Sequence, residues 1–196
     1  MLDSGVFMVS KPTAAAKPTF WDVLGIYLAL AVIGCGSTQA PTLYSMQEKY
    51  VGEHLRVEKP IRYLSTTEER EKHKLHVRDG LLVGATGTPL DPDLKNNPAR
   101  DGFAIFVMDA KGDIYLSFDQ KRDVFHHSSL LAGAPVAAAG DMTIIDGKLL
   151  AVSNSSGHYR PPPDSLDRVL QRLSAMGISV EKVKVTRVDS KSSRSR

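Results

Sequence analysis

Residues 103–118 read FAIFVMDAKGDIYLSF, and this stretch indicates the fold class. Its first six residues are apolar throughout, DAKG supplies a turn, and apolar residues then recur at every second position up to Phe118. This pattern is typical of a β-hairpin, because successive side chains of a strand point to opposite faces of the sheet. Residues 141–152, DMTIIDGKLLAV, repeat the pattern with Asp146 and Gly147 at a two-residue tip.

Helical patterns occur on both sides of the hairpins. Residues 65–69 resemble a helix start, because Thr66 can cap the first turn and Glu69 can bond back to it. A second stripe at helical spacing ends at Gly177 and comprises Leu166, Val169, Leu170, Leu173 and Met176. Residues 182–188 predict a final strand. The sequence therefore predicts an α+β fold of mostly antiparallel strands, with two hairpins and two or three helices.

The composition is that of an ordinary globular protein. The chain has 196 residues, 42% hydrophobic and 24% charged, with a formal net charge of +3. This positive excess is too small to indicate nucleic-acid binding, so no nucleic-acid partner is predicted. A single cysteine excludes an intrachain disulfide. P-loop, dinucleotide-binding, CxxC and HExxH motifs are all missing from the sequence.

The longest apolar run, VLGIYLALAVIGC at residues 23–35, resembles the core of a secretory signal. It is shorter than the about 20 residues that a membrane-spanning helix needs, and Lys11 and Lys17 precede it. Residues 1–34 are therefore interpreted as a lipoprotein-type signal peptide, with Cys35 as the lipidation site and a membrane contact through the lipid. A buried apolar helix or a short uncleaved anchor is the alternative.

The remaining chain is divided into three parts. Residues 35–60 are interpreted as a tether and residues 61–188 as a single α+β domain. Residues 189–196, DSKSSRSR, have nothing to bury and predict a disordered basic tail. This organisation predicts a protein of the bacterial cell envelope that is lipid-anchored and faces the periplasm, or a secreted protein.

Two polar clusters flank the second hairpin and supply the candidate site. If the hairpin brings its ends together, the residues around His127 and those around His158 can converge. The candidate ligand-binding residues are His127, Ser128, Ser129, Ser156, His158 and Tyr159. No metal is predicted, because a zinc site needs more suitably spaced ligands than these histidines supply. The alternative is a structural role, in which these side chains cap strand ends and bond to the backbone.

Several motifs in this order resemble a known module. They are FHHSS at 125–129, PVAAAG at 135–140, Gly147-x-Leu149 and SGHY at 156–159, with residues 77–91 and 102–115 also similar. The module is shared by plant IQ-motif calmodulin-binding proteins and bacterial secreted effector-like proteins, and the similarity covers roughly residues 62–188. It implies a degenerate fold similar to mono-ADP-ribosyltransferases. The sequence contains no IQ motif, so calmodulin binding is not implied.

The resemblance also bears on catalysis. Such transferases use a glutamate to orient the nicotinamide ribose, but this sequence has no glutamate between residues 72 and 180. Asp141 stands where relatives tend to have that glutamate, and its side chain is shorter by one methylene. The predicted function is a bacterial envelope-anchored or secreted interaction module, with a degenerate nucleotide-type pocket for an unknown protein or small molecule. The alternative is an active NAD-dependent mono-ADP-ribosyltransferase effector or toxin, and only this alternative implies a cofactor, NAD.

Overall fold

The computed structural model describes residues 40–92 and 102–189. Within these ranges the chain forms two short 3₁₀ turns, three α-helices and seven strands. The turns are Glu48–Tyr50 and Glu53–Leu55, and the helices are α1 (Thr67–Glu71), α2 (His127–Leu130) and α3 (Ser165–Ala175). The strands are β1 (His76–Arg78), β2 (Leu81–Val83), β3 (Phe103–Met108), β4 (Ile114–Ser117), β5 (Ala138–Ile145), β6 (Lys148–Ser153) and β7 (Lys184–Thr186).

Both predicted hairpins are confirmed. They lie in one five-stranded sheet with the order β4-β3-β5-β6-β7, while β1 and β2 form a separate antiparallel pair. At the tip of the second hairpin, Asp146 and Gly147 have φ values of 50° and 71°, as a tight two-residue turn requires. The last strand, β7, pairs with β6 in parallel. The α+β class with mostly antiparallel strands is therefore confirmed.

The inner strand β3, which lies between β4 and β5, is buried on both faces of the sheet. Ala104, Phe106 and Met108 pack on one face with α3, and Ile105 and Val107 pack on the other. This burial explains why the β3 sequence is apolar throughout rather than alternating. The helix α3 contributes Leu166, Val169 and Leu173 to the first face, whereas Leu130, Val136 and Tyr159 cover the second.

Gly140 allows β5 to pass close to the end of β6. A Cβ atom at this position would overlap the carbonyl oxygen of Ser153 and approach Asn154 Cα to 2.9 Å. Only glycine permits this approach of two backbones. The contact brings the chain after β6, which carries His158, towards the chain before β5, which carries His127.

The residues before the predicted domain pack on it. In the N-terminal segment (residues 44–61), Tyr44 and Val136 exchange two backbone hydrogen bonds of 2.8 and 3.1 Å. The amide of Gln47 donates to the carbonyl of His158 at 2.8 Å. Tyr44 and Gln47, in the part that is interpreted as a tether from the sequence, are therefore bonded to the predicted domain.

Several predicted features lie outside the described residues. They are the signal peptide at 1–34, the lipidation site Cys35 and the basic tail beyond Asp189. In the described ranges, none of the helices has both the length and the apolar content needed to cross a bilayer.

Candidate functional site

A buried carboxylate, Glu53, joins the two polar clusters that the sequence singles out. Its residue is only 2% exposed, although the turn that carries it lies near the surface. Ser128 Oγ donates to Glu53 Oε1 at 2.5 Å, and the Tyr63 hydroxyl donates to the same oxygen at 3.3 Å. His158 Nε2 lies 3.3 Å from Glu53 Oε2. Ser128, before β5, and His158, after β6, therefore bind the same carboxylate.

Three aromatic rings stack beside this carboxylate. The His158 ring lies between Tyr50, at a centroid distance of 4.1 Å, and His126, at 4.8 Å. Ring stacking of this kind adds to the free energy gained by burial. We call Glu53, Tyr63, Ser128, His158 and the stacked rings of Tyr50 and His126 the Glu53 cluster.

Burial sets the protonation of the histidines in the Glu53 cluster. Desolvation lowers the pKa of His158 to about 4, and it outweighs the opposing attraction of the Glu53 carboxylate. Desolvation also lowers the pKa of His126. Both rings are therefore neutral near pH 7, and His158 can donate to Glu53 only as the tautomer with hydrogen on Nε2. The pKa of Tyr63 is raised to about 12 by burial and then by Glu53, so its hydroxyl stays a donor.

His127 makes a different set of contacts. Its Nε2 lies 2.9 Å from the carbonyl oxygen of Gly140 and 3.6 Å from Asp141 Oδ1. A carbonyl oxygen only accepts, so Nε2 carries a hydrogen. Asp141 also accepts from Ser153 Oγ at 3.4 Å. Asp141, which stands where the resemblance places the transferase glutamate, thus lies against His127 and is hydrogen-bonded to Ser153 at the end of β6.

The other predicted site residues bond to nearby backbone. Ser129 Oγ accepts from the amide of His126 at 2.9 Å, which caps α2. The Tyr159 hydroxyl donates to the carbonyl of Ala134 at 2.9 Å, and its amide donates to Ser156 Oγ at 3.4 Å. The structure therefore brings Ser128 and His158 together, whereas His127, Ser129, Ser156 and Tyr159 each hold a neighbouring turn or strand. In the described ranges, no group of three or more His, Cys, Asp or Glu residues is placed to hold a metal ion.

Glu53 is the functional residue that sequence reasoning missed. It lies 75 residues before Ser128 and 105 residues before His158, and it has no turn motif or strand pattern around it. The one local signal is Gly52, which lies between the two 3₁₀ turns and adopts a positive φ of 76° directly before Glu53. A glycine inside a polar segment is too common to single out the residue after it.

Comparisons with known proteins identify related sequences. Residues 69–166, half of the chain, match the model of the IQ motif-containing protein middle domain. The IQ domain-containing protein IQM3 of Arabidopsis thaliana is 36% identical over 126 residues, which cover 64% of this chain and 26% of that protein. IQM1 of the same plant is 33% identical over 124 residues, covering 63% of this chain and 24% of that protein. The chain thus spans about a quarter of the length of these relatives. No solved structure matches.

These relatives correct the predicted function and localisation. They are plant IQ domain-containing proteins, so the prediction of a bacterial envelope or secreted module is wrong, and so is its alternative, a transferase effector or toxin. The lipoprotein classification is wrong for the same reason, and nothing supports a lipid anchor at Cys35. The link to bacterial effector-like proteins is also unsupported, whereas the resemblance to the plant module is confirmed. The chain belongs to the IQ motif-containing protein middle domain family.

Proposed function

We propose that this chain is a protein-binding domain and that calmodulin is its partner. Its relatives are named as IQ domain-containing proteins, and the plant proteins that it resembles bind calmodulin. The sequence has no IQ motif, so the contact would use another surface. The observation that carries the proposal is a set of exposed aliphatic side chains in the N-terminal segment.

Val51, Leu55 and Val57 are 67%, 74% and 97% exposed. Strongly exposed aliphatic residues that lie this close together in the sequence mark a candidate interaction surface. Gly52 separates the two 3₁₀ turns, and the adjacent Glu53 anchors the segment from beneath. The segment is therefore held in one conformation before a partner arrives, which reduces the entropy lost on binding.

Basic residues are interleaved with these aliphatic residues. Lys49, Arg56 and Lys59 are exposed in the same segment, and Arg56 Nη2 donates to the carbonyl of Lys49 at 3.4 Å. Calmodulin recognises targets that combine apolar anchors with basic side chains, and it receives them in flexible, methionine-rich grooves. The aliphatic and basic side chains of the segment fit that partner, although the exposed Glu48 and Glu58 leave it without a net positive charge.

Titration calorimetry with purified calmodulin tests this proposal, with calcium and with a calcium chelator in separate runs. We expect binding to the wild-type chain and at least about tenfold weaker binding to the Val51→Asp, Leu55→Asp, Val57→Asp triple variant. A Leu150→Asp, Val185→Asp, Val188→Asp variant is the matched control, because it adds the same number of charges at exposed aliphatic residues on β6, on β7 and just after β7. Absence of binding in both calcium conditions, or equal losses in the two variants, would contradict the proposal.

For the six predicted ligand-binding residues we infer a structural role. Each of them is hydrogen-bonded within the chain, and buried polar groups that are already paired lose free energy if they turn to a ligand. The ligand-binding role stays a prediction, as does the fold similar to mono-ADP-ribosyltransferases. The structural role is supported by the Glu53 cluster, in which the N-terminal segment is hydrogen-bonded to the chain before β5 and to the chain after β6.

A further inference from the structure

An open groove of about 430 Å³ lies beside the end of β4, and none of the side chains bonded to Glu53 lines it. Its volume is within the range of pockets that hold small molecules. The lining residues come from three parts of the chain: the residue after the N-terminal segment, a histidine after α1, and the end of β4 with the loop that follows it. They include Arg62, His73, Ser117, Asp119, Lys121 and Phe125.

Two stacked rings contribute to the wall of the groove. His73 and Phe125 lie with centroids 5.9 Å apart and their planes at 28°. His73 Nδ1 is 3.0 Å from the carbonyl oxygen of Leu116, so it carries a hydrogen and donates. In the neutral ring Nε2 is then left as an acceptor, and no donor in the described ranges reaches it. The stacked rings thus give the groove one aromatic side, with one place for a ligand N–H.

The charges around the groove are unpaired or weakly paired in the ranges that the structure describes. Lys121 has no carboxylate within ion-pair distance, and Asp119 has no cation, among the residues that the structure describes. The Arg62 side chain is 63% exposed, and its nearest carboxylate, on Glu69, is 3.8 Å away. Exposed pairs at that distance contribute little free energy. Two cations and one carboxylate are therefore available to a ligand.

The loop that carries these charges is already ordered. Lys121 and Phe125 exchange backbone hydrogen bonds of 3.2 and 2.9 Å, and Asp123 between them has a positive φ of 57°. Ser117 Oγ accepts from the amide of Asp119 at 3.0 Å. The amide of Arg62 donates to the carbonyl of Val124 at 2.8 Å. A preformed groove loses less entropy when it takes up a ligand.

We propose that this groove binds a small zwitterion, an apolar α-amino acid. Its carboxylate pairs with Arg62 and Lys121, its ammonium group pairs with Asp119, and its side chain packs against Phe125. A simple anion would meet the unpaired Asp119 carboxylate, and a simple cation would meet the two basic side chains. A ligand with both charges and an apolar body matches the two cations, the carboxylate and the aromatic side of the groove together.

Nuclear magnetic resonance titration of the ¹⁵N-labelled chain tests the proposal with three probes. L-phenylalanine carries both charges, 3-phenylpropionate lacks the ammonium group, and phenethylamine lacks the carboxylate. We expect L-phenylalanine to bind at least about tenfold more tightly than either of the other two. The shifted amides should be those of residues 117–125 together with Arg62 and His73. Equal affinities for the three probes, or shifts outside this set, would overturn the proposal.

Charge-removing variants separate the two ends of the ligand. Asp119→Asn should weaken L-phenylalanine binding at least about fivefold without weakening 3-phenylpropionate, whereas Lys121→Gln should weaken both. Lys148→Gln is the matched control, since it removes an exposed cation from β6. These residues are on the surface, so the variants should fold. If Lys148→Gln weakened binding as much as Lys121→Gln did, the effect would come from net charge and the site would be refuted.

Discussion

Burial of the Glu53 carboxylate needs hydrogen-bond donors, because an unpaired buried charge costs several kcal/mol. Ser128, Tyr63 and His158 supply those donors. Each comes from a different part of the chain, so the carboxylate stabilises the packing of three segments at once. A stability measurement on a single variant can therefore distinguish a structural role of His158 from a ligand-binding role.

We expect His158→Ala to lower the free energy of unfolding by about 1–3 kcal/mol at pH 7.5, because Glu53 loses a donor. The pKa of His158 is about 4 in the folded chain, below its ordinary value of 6.5. Between these values the unfolded chain binds a proton that the folded chain does not, so wild-type stability falls as the pH is lowered from 6.5 towards 4. The variant lacks this loss, and the difference between the two proteins should shrink across that range.

Urea denaturation at several pH values measures both effects. His76→Ala is a suitable control, because His76 on β1 has no side-chain hydrogen bond among those found in the described ranges. A His158→Ala variant as stable as wild type at pH 7.5 would refute the structural role and favour the predicted ligand role. A difference that grew on acidification would refute the neutral, buried state of the ring.

At the scale of the elements, the junction of β5 and β6 depends on one backbone contact. We expect Gly140→Ala to lower the free energy of unfolding by about 1–3 kcal/mol or more, because its Cβ would overlap the Ser153 carbonyl. Gly157→Ala is the matched control, since a Cβ there has nothing within 4 Å. Thermal unfolding measures both, and similar melting temperatures for the two variants would show that the strands do not approach as closely as described.

At the scale of the elements, some features could be predicted from the sequence and others could not. The hairpin tip at Asp146 and Gly147 was predictable because a two-residue turn leaves a local signal. The capping box of α1 was also predictable, and Thr66 and Glu69 form it as expected. The parallel pairing of β7 with β6 was not, because a three-residue exposed strand carries no pattern that sets its neighbour or its direction.

At the scale of the whole molecule, the candidate site is only partly predictable. The convergence of the two polar clusters followed from the hairpin between them. The carboxylate that joins them comes from a part of the chain that precedes the family match at residues 69–166. Contacts over such sequence separations depend on the complete fold, so local patterns could not identify Glu53. The same long-range contact holds the described residues around Glu53, in the predicted tether, against the domain.

The central claim is that the Glu53 cluster makes the N-terminal segment an integral part of the fold. Native-state hydrogen exchange measures this most directly, at the amides of Tyr44 and Gln47, which donate to Val136 and His158. We predict that both amides are protected in the wild-type chain, and that Glu53→Ala removes their protection while the amides of β3 keep theirs. Exchange of Tyr44 and Gln47 at the rate of an unfolded peptide in the wild-type chain would contradict the account.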